Sequence, residues 1–249
     1  MTTILLTSTI APNAAMPNHK SFDIPTRLSE YKSALTWYLG QAPRSVTRLL
    51  FCDNSGHDLS ELIEHAEAIR PGHVEVDFYG YTSTVPPTRG KGACEMELVD
   101  MAMRVFADRL DERIWKISGR LQVQNIAEMI ETQPEAYDIY ADFRDVPFIR
   151  HSLGGNQWID MRAFAFSPHG HAKYLAGEWE HTHSVIEWYL FSKIAPHLDH
   201  DRNIFPRLLR QPEFVGVCGG SGKDYRSTSY LAKNMLRRMT RRLAPGLWL

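Results

Sequence analysis

Cysteine is scarce in this 249-residue chain: Cys52, Cys94 and Cys218 are odd in number and far apart. That spacing fits no disulfide framework and no zinc pattern, so reduced, mostly buried thiols of a cytosolic protein are expected. Long apolar runs are missing too. MTTILLTSTIAPN holds only a short apolar stretch with no basic segment before it, so no signal peptide is expected, and no stretch reaches the length of a membrane span. Neither sign of charge dominates. The 28 Lys and Arg against 29 Asp and Glu leave a formal charge of −1, which gives the whole molecule no reason to seek nucleic acid. Repeats and low-complexity linkers are absent. So are an HExxH motif and a P-loop, because Gly90-Lys91-Gly92 lacks the spacer and the Lys-Ser/Thr that a P-loop needs.

What is there is an ordinary composition, 43% hydrophobic and 23% charged, in a chain long enough to bury a full core. Ile4 to Leu6 reads as a buried strand that enters a Pro- and Asn-rich loop. A helix over 27–39 stops at Gly40, and a strand over 49–52 ends in Asp53-Asn54-Ser55-Gly56. Asp58 or Ser60 caps a helix over 59–69, and residues 74–79 alternate as a third strand. A helix over 94–110 leads into a fourth strand at 114–117. The pattern then loosens into a short helix over 126–131, strands over 137–143 and 158–167, and a helix starting near Glu180 or His183. A short strand at 215–217 and a last helix over 229–243 complete it. This alternation predicts an α/β fold, with a Rossmann-like, mostly parallel sheet flanked by helices. One domain over 1–249 is expected, divided into 1–125, an elaborated 126–224, and a basic helix and tail over 225–249.

In such sheets ligands bind beyond the carboxyl ends of the strands. The first strand delivers Thr7 and Thr9 there, the second Asp53 and Asn54, and Lys91 and Gly92 open the helix after the third. IWKISGRLQVQ breaks its alternation at Ser118-Gly119-Arg120, a glycine followed at once by a fixed positive charge. Hydroxyls, an acid, a glycine-flanked lysine and an arginine in one crevice suit a nucleoside diphosphate. The acid would hold ribose or base, Lys91 and Arg120 the phosphates, and the glycines would admit main-chain N–H groups. Taken alone, Arg89-Gly90-Lys91-Gly92 reads better as an exposed turn.

The order of these segments resembles the GT-A class of nucleotide-sugar glycosyltransferases, particularly the inverting bacterial kind that builds surface polysaccharides such as capsule and lipopolysaccharide. LLFCDNSGHDLSEL is similar to the second-strand segment, with Asp53 at the acidic position, and RGKGACEMELVDMAM to the glycine-led helix. IWKISGRL stands where that class carries its metal-binding Asp-X-Asp. The likeness covers roughly residues 1–125, and makes that half the nucleotide-sugar-binding one and 126–224 the acceptor half. It implies a nucleotide-sugar donor and a glycan or lipid-linked acceptor.

The departure lies at Ser118-Gly119-Arg120, which offers no carboxylate to a divalent ion. A leaving diphosphate still gathers charge, and arginine supplies a bidentate counter-charge. The expectation is a metal-independent enzyme needing no cofactor, in which Arg120, with Lys116 or Lys91, replaces the cation. The competing role for Arg120 is a structural pair with an acid such as Asp142 or Asp145. Should a divalent cation bind, Asp142 and Asp145 are the fallback ligands. Loss of Asp-X-Asp also leaves open a noncatalytic module that binds nucleotide sugar or glycan in an assembly complex. Another nucleotide-dependent transferase on a doubly wound sheet is the third reading.

Inverting transfer needs a general base, which the resemblance places near the start of a helix after the acceptor-side strand. Glu180 is the first choice, Glu187 the second and Asp160 the third. Trp158, Trp179 and Trp188 are candidates for stacking on sugar rings, with core packing as the equal alternative. Histidines pair at 169/171, 181/183 and 197/200 without a metal signature, and structural or exposed roles are expected. The loop Val215 to Lys223 is rich in glycine; it is read equally as a second diphosphate cover and as a flexible turn.

From Tyr225 onward there are six basic residues and no acidic one. Arg237, Arg238, Arg241 and Arg242 share a helix with an apolar side of Met235, Leu236, Met239 and Leu243, and Trp248 lies in an apolar tail. This combination suits an anionic membrane surface best, with packing on the core as the competing use of the apolar side and nucleic acid as that of the arginines. A cytoplasmic protein, peripheral at the inner face of the cell membrane, is expected. No nucleic-acid partner is expected, and the sequence is silent on oligomeric state.

Overall fold

A computed structural model of the protein describes residues 1–16, 23–146, 156–182, 185–217 and 224–244. In the first half β1 (Thr2–Ser8), α1 (Ile24–Gln41), β2 (Val46–Asp53), α2 (Ser60–Ile69), β3 (Glu75–Gly80), α3 (Lys91–Val105) and β4 (Ile114–Ser118) alternate as strand and helix. Then follow β5 (Gln122–Val123), α4 (Ile126–Glu131), β6 (Ile139–Tyr140), β7 (Phe143–Arg144), β8 (Trp158–Ile159) and β9 (Ala163–Phe166). The chain finishes with α5 (Pro168–Tyr174), α6 (Glu178–His181), α7 (Ile186–Ile194), β10 (Ile204–Phe205), β11 (Phe214–Val215) and α8 (Thr228–Leu243).

Seven strands form one sheet in the order β10-β6-β9-β4-β1-β2-β3, in which β9 runs antiparallel to β4 and β6 and the other pairings are parallel. The α/β architecture expected from the alternation is the one the chain adopts. β1 is buried along its whole length, as a central strand covered on both faces must be. Its alternation sorts the core: Ile4 and Leu6 join the cluster containing Tyr31, Leu35, Phe51 and Trp115, whereas Leu5 joins Leu50, Leu98, Val99 and Phe166 on the opposite face. Strands from before and after residue 125 share this sheet. β5 pairs with β11, and β7 with β8, as separate ribbons.

Several boundaries differ from the sequence expectation. α1 passes through Gly40 to Gln41, and α3 starts at Lys91 and ends at Val105. The run 137–143 leaves the sheet after Tyr140, because Phe143–Arg144 turns away to pair with β8. The run 158–167 is split at Asp160–Arg162. α5 was not foreseen; the Ser167 side chain caps it by accepting from the Gly170 amide at 2.9 Å. Among the described residues, no helix is long and apolar enough to cross a membrane.

Candidate functional site

From β1 the chain moves outward to β2 and β3, and from β4 to the opposite side of the sheet. The carboxyl ends of β1 and β4 therefore flank the switch point at which an open sheet leaves a crevice. A cavity of about 420 Å³ lies there, lined by Thr7, Ser8, Thr9, Asn54, Lys91, Ser118, Gly119 and Arg120. That volume is in the range of small-molecule sites.

Two donor-side expectations are corrected. Asp53 is fully buried. One of its oxygens accepts from the Ser8 hydroxyl and the Ile10 amide, both at 2.8 Å, and the other from the Ser55 amide at 2.8 Å and the Ser55 hydroxyl. Its lone pairs are used in shaping the loops after β1 and β2, so it positions the site without facing the cavity. Gly92 is a packing glycine: a Cβ there would stand 2.3 Å from Ile186 Cγ2. The missing side chain lets α3 lie against the first turn of α7.

Gly119 has a comparable reason. A Cβ would stand 2.8 Å from the Thr7 carbonyl oxygen, to which the Gly119 amide donates at 2.8 Å. β4 turns directly over the end of β1, and only glycine permits that approach. The turn delivers Arg120 to the cavity wall, where it pairs with Glu30 at 2.5 Å. The structural pair weighed as its competing role is thus present, with Glu30 in place of Asp142 or Asp145.

Helices supply wall residues that strand-end reasoning missed. Arg27 and Tyr31 on α1 both line the cavity. The Arg27 guanidinium donates to the Thr9 and Ile10 carbonyls, and the Tyr31 hydroxyl accepts from the Thr9 amide at 2.9 Å. Burial pulls Arg27 below its usual range and pushes the Tyr31 hydroxyl above its own. Glu95, on α3, accepts through a single oxygen from Thr7 (2.7 Å), Lys116 (2.5 Å) and Ser118 (3.1 Å). Burial alone would raise this carboxyl, but the Lys116 charge and the three hydrogen bonds outweigh it and hold the group below the usual range. Lys116 is fully buried and also donates to the Met161 carbonyl at 2.7 Å, so it acts through Glu95.

The donors at this strand end suit an anion better than a divalent cation. Glu95 already faces an ammonium, and Arg120 and Arg27 stand alongside. Among the described residues no group of three His, Cys, Asp or Glu could hold a metal ion. The fallback pair is corrected as well: Asp142 takes both nitrogens of the Arg241 fork, at 3.0 and 2.8 Å, and the Leu208 amide. Neither it nor Asp145 lines the cavity. His171 is bonded to Asp100 and His169 to Asp138, while His183 lies outside the described residues.

Of the three candidate bases, only Glu187 reaches the cavity. It sits in the first turn of α7. Burial, with a further push from the nearby charge of Glu95, raises its carboxyl above the usual range. Glu180 is exposed on α6, outside the cavity, where its carbonyl accepts from Arg89 at 2.8 Å. Asp160 is buried between two guanidiniums, Arg144 at 2.8 Å and Arg162, which hold it well below the usual carboxylate range against the opposing effect of burial. A base in that condition has almost no affinity for a proton. Of the tryptophans, Trp158 lines the cavity and meets Trp188 edge-on, while Trp179 donates to Asp100 and does not line it.

α8 adds Tyr230, Lys233 and Arg237 to the cavity wall. Two of the four arginines assigned to a membrane face therefore turn inward: Arg237 to the cavity and Arg241 to Asp142. Arg238 pairs with Glu213 at 2.7 Å and Arg242 is exposed. The apolar side does not pack on the core, since Leu231, Met235, Leu236, Met239 and Leu243 are 50–79% exposed. Trp248 and residues 218–223 of the glycine-rich loop lie outside the described residues.

Neither a protein-family model nor a curated protein sequence matches this chain. Solved structures similar to it are nucleotidyl- and sugar-transferase types. The inositol-1-phosphate CTP transferase of T. maritima is 11% identical, with 95% of this chain and 96% of that one covered at a TM-score of 0.49. The 4-diphosphocytidyl-2C-methyl-D-erythritol synthase of Anaerococcus prevotii is 10% identical, with 95% and 96% covered at 0.47. A mannosyltransferase from Pyrobaculum calidifontis, in complex with GDP-Man and Mn2+, is 13% identical, with 67% of this chain and 44% of that one covered at 0.39.

Proposed function

We propose that the chain is a glycosyltransferase that moves a sugar from a nucleotide-sugar donor to a glycan or lipid-linked acceptor with inversion. One observation carries this reading: a desolvated carboxylate, Glu187, shares a single cavity with the cations Arg27, Lys91 and Arg120. In the reaction the acceptor hydroxyl oxygen forms a bond to the anomeric carbon, and its proton passes to Glu187. The bond from that carbon to the diphosphate oxygen breaks, and the electron pair leaves with the diphosphate. Lys91, Arg120 and Arg27 supply the positive charge that the departing group needs, and no step calls for a metal. Glu95 and Lys116 hold Thr7 and Ser118 in place beside them. The exposed apolar face of α8, flanked by Arg238 and Arg242, supports a peripheral position on the anionic inner face of the cell membrane.

A nucleotidyltransferase is the second reading, favoured by the surplus of cations, because a phosphate nucleophile needs no base. Glu187→Gln separates the two. Glycosyl transfer, followed as release of nucleoside diphosphate from a nucleotide sugar, is expected to fall at least about a hundredfold with donor binding retained. Nucleotidyl transfer from a nucleoside triphosphate would survive the change. Saturable donor binding with no turnover of either kind would leave a binding module.

A further inference from the structure

The cations of the cavity form two separate electrostatic groups. Arg27 and Arg120 influence each other, together with Glu30 and Tyr31, at the ends of β1 and β4. Arg144, Arg162 and Arg237 line the same cavity, and Arg144 and Arg162 both act on Arg237, as do Asp160 and Tyr230. The second group is drawn from β7, from the turn after β8, and from α8.

Building on the transferase reading, we propose that this second group is an anion subsite that takes the phosphate of a phosphate-bearing acceptor, with Arg237 and Lys233 as its contacts. Asp160 is the one acid among them, and it is occupied in fixing Arg144 and Arg162. Arg162 is fixed further by stacking over Phe214 and Tyr225, at 4.4 and 5.1 Å from the ring centroids. Among the described residues, Arg237 and Lys233 have no hydrogen-bond or ion-pair partner in the protein, yet both line the cavity. Burial and the charges of Arg144 and Arg162 pull Arg237 down to about 10. Cations crowded at a half-buried wall repel one another unless an anion joins them. Four of them against one carboxylate match a phosphate dianion better than a singly charged carboxylate. The same phosphate could arrive on a soluble sugar phosphate or on a lipid.

The experiment titrates the full chain separately with inorganic phosphate and with nucleoside diphosphates, by calorimetry. Phosphate is expected to bind whether or not a saturating nucleoside diphosphate is present. Arg237→Gln and Lys233→Gln are each expected to weaken phosphate by about tenfold, the worth of one charged hydrogen bond, with nucleoside diphosphate affinity unchanged. Arg120→Gln should do the reverse. Both α8 side chains are free of protein partners, so folding is expected to be intact, and an unchanged melting temperature checks it. Displacement of phosphate by vesicles of phosphatidylcholine and phosphatidic acid, and not by phosphatidylcholine alone, assigns a lipid-borne source; no displacement assigns a soluble one. Both outcomes retain the subsite. Absence of saturable phosphate binding, displacement of phosphate by nucleoside diphosphate, or equal losses of both ligands in Arg237→Gln would overturn it. Phosphate binding without any nucleoside diphosphate binding would overturn the transferase reading and leave the subsite standing.

Discussion

Glu187 carries a signature that pH can reveal. A carboxyl held above its unfolded value makes the folded protein the tighter proton binder. The stability this provides is complete below the unfolded value of about 4.3 and is lost as pH rises through the folded one. Glu187→Gln is thus expected to raise the melting temperature near about pH 8 and to leave it unchanged near about pH 4. The rising limb of the activity profile, displaced toward neutral pH in the parent, should vanish in the same variant. Glu95 has the opposite sign. Its carboxyl is held low, so its contribution is present above about pH 4.3 and disappears as pH falls through the folded value. Glu95→Gln would strand Lys116 in the core and is expected to cost roughly 3 kcal/mol in urea unfolding. A Glu95→Gln, Lys116→Met double variant should recover most of that loss. Recovery of none would mean that the pair is not the stabilising unit.

At the scale of elements, α8 shows what a pattern can and cannot tell. Its amphipathic character was legible from Met235, Leu236, Met239 and Leu243. Which side would meet the protein was not, because periodicity separates two faces without saying what each one touches. The basic and polar side packs inward, through Asn234, Arg237 and Arg241, and the apolar side is left in water. Replacing Met235, Leu236 and Met239 by serine is expected to leave the unfolding free energy within about 1 kcal/mol of the parent, since surface changes cost little. The same variant should abolish cosedimentation with vesicles rich in phosphatidylglycerol. Vesicle binding that survives would place the contact elsewhere. α1 and α3 teach a related lesson. Thr7, Thr9, Asn54 and Arg120 could be found because strand ends converge by topology. Arg27, Tyr31 and Glu95 lie on helix faces, and their reach into the crevice depends on the packing distance between helix and sheet. The available signals were faint: Arg27 and Tyr31 four residues apart, and an acid on the otherwise apolar face of α3.

For the whole molecule, the fold was readable because strand and helix periods alternate for 120 residues, and an open sheet has few other ways to bury them. The site was readable only in part. An acid at a strand end faces either a ligand or the next loop, and Asp53 serves the loop. The choice between Glu180 and Glu187 turned on side-chain direction, because both α6 and α7 pack against α3 and only Glu187 lines the cavity. Binding of a nucleotide sugar at a hundredfold excess over its dissociation constant should stabilise the protein by about 2.7 kcal/mol, read as a rise in melting temperature. The proposal expects the same rise with EDTA present. A rise that EDTA removes would show that a divalent ion mediates the contact after all.

α8 is the last described element and also a side of the pocket. Ending translation ahead of Thr228 would spare every β-strand and the strand-end wall of Thr7, Ser118 and Arg120. It would take Tyr230, Lys233 and Arg237 out of the cavity wall and leave that side open to bulk water.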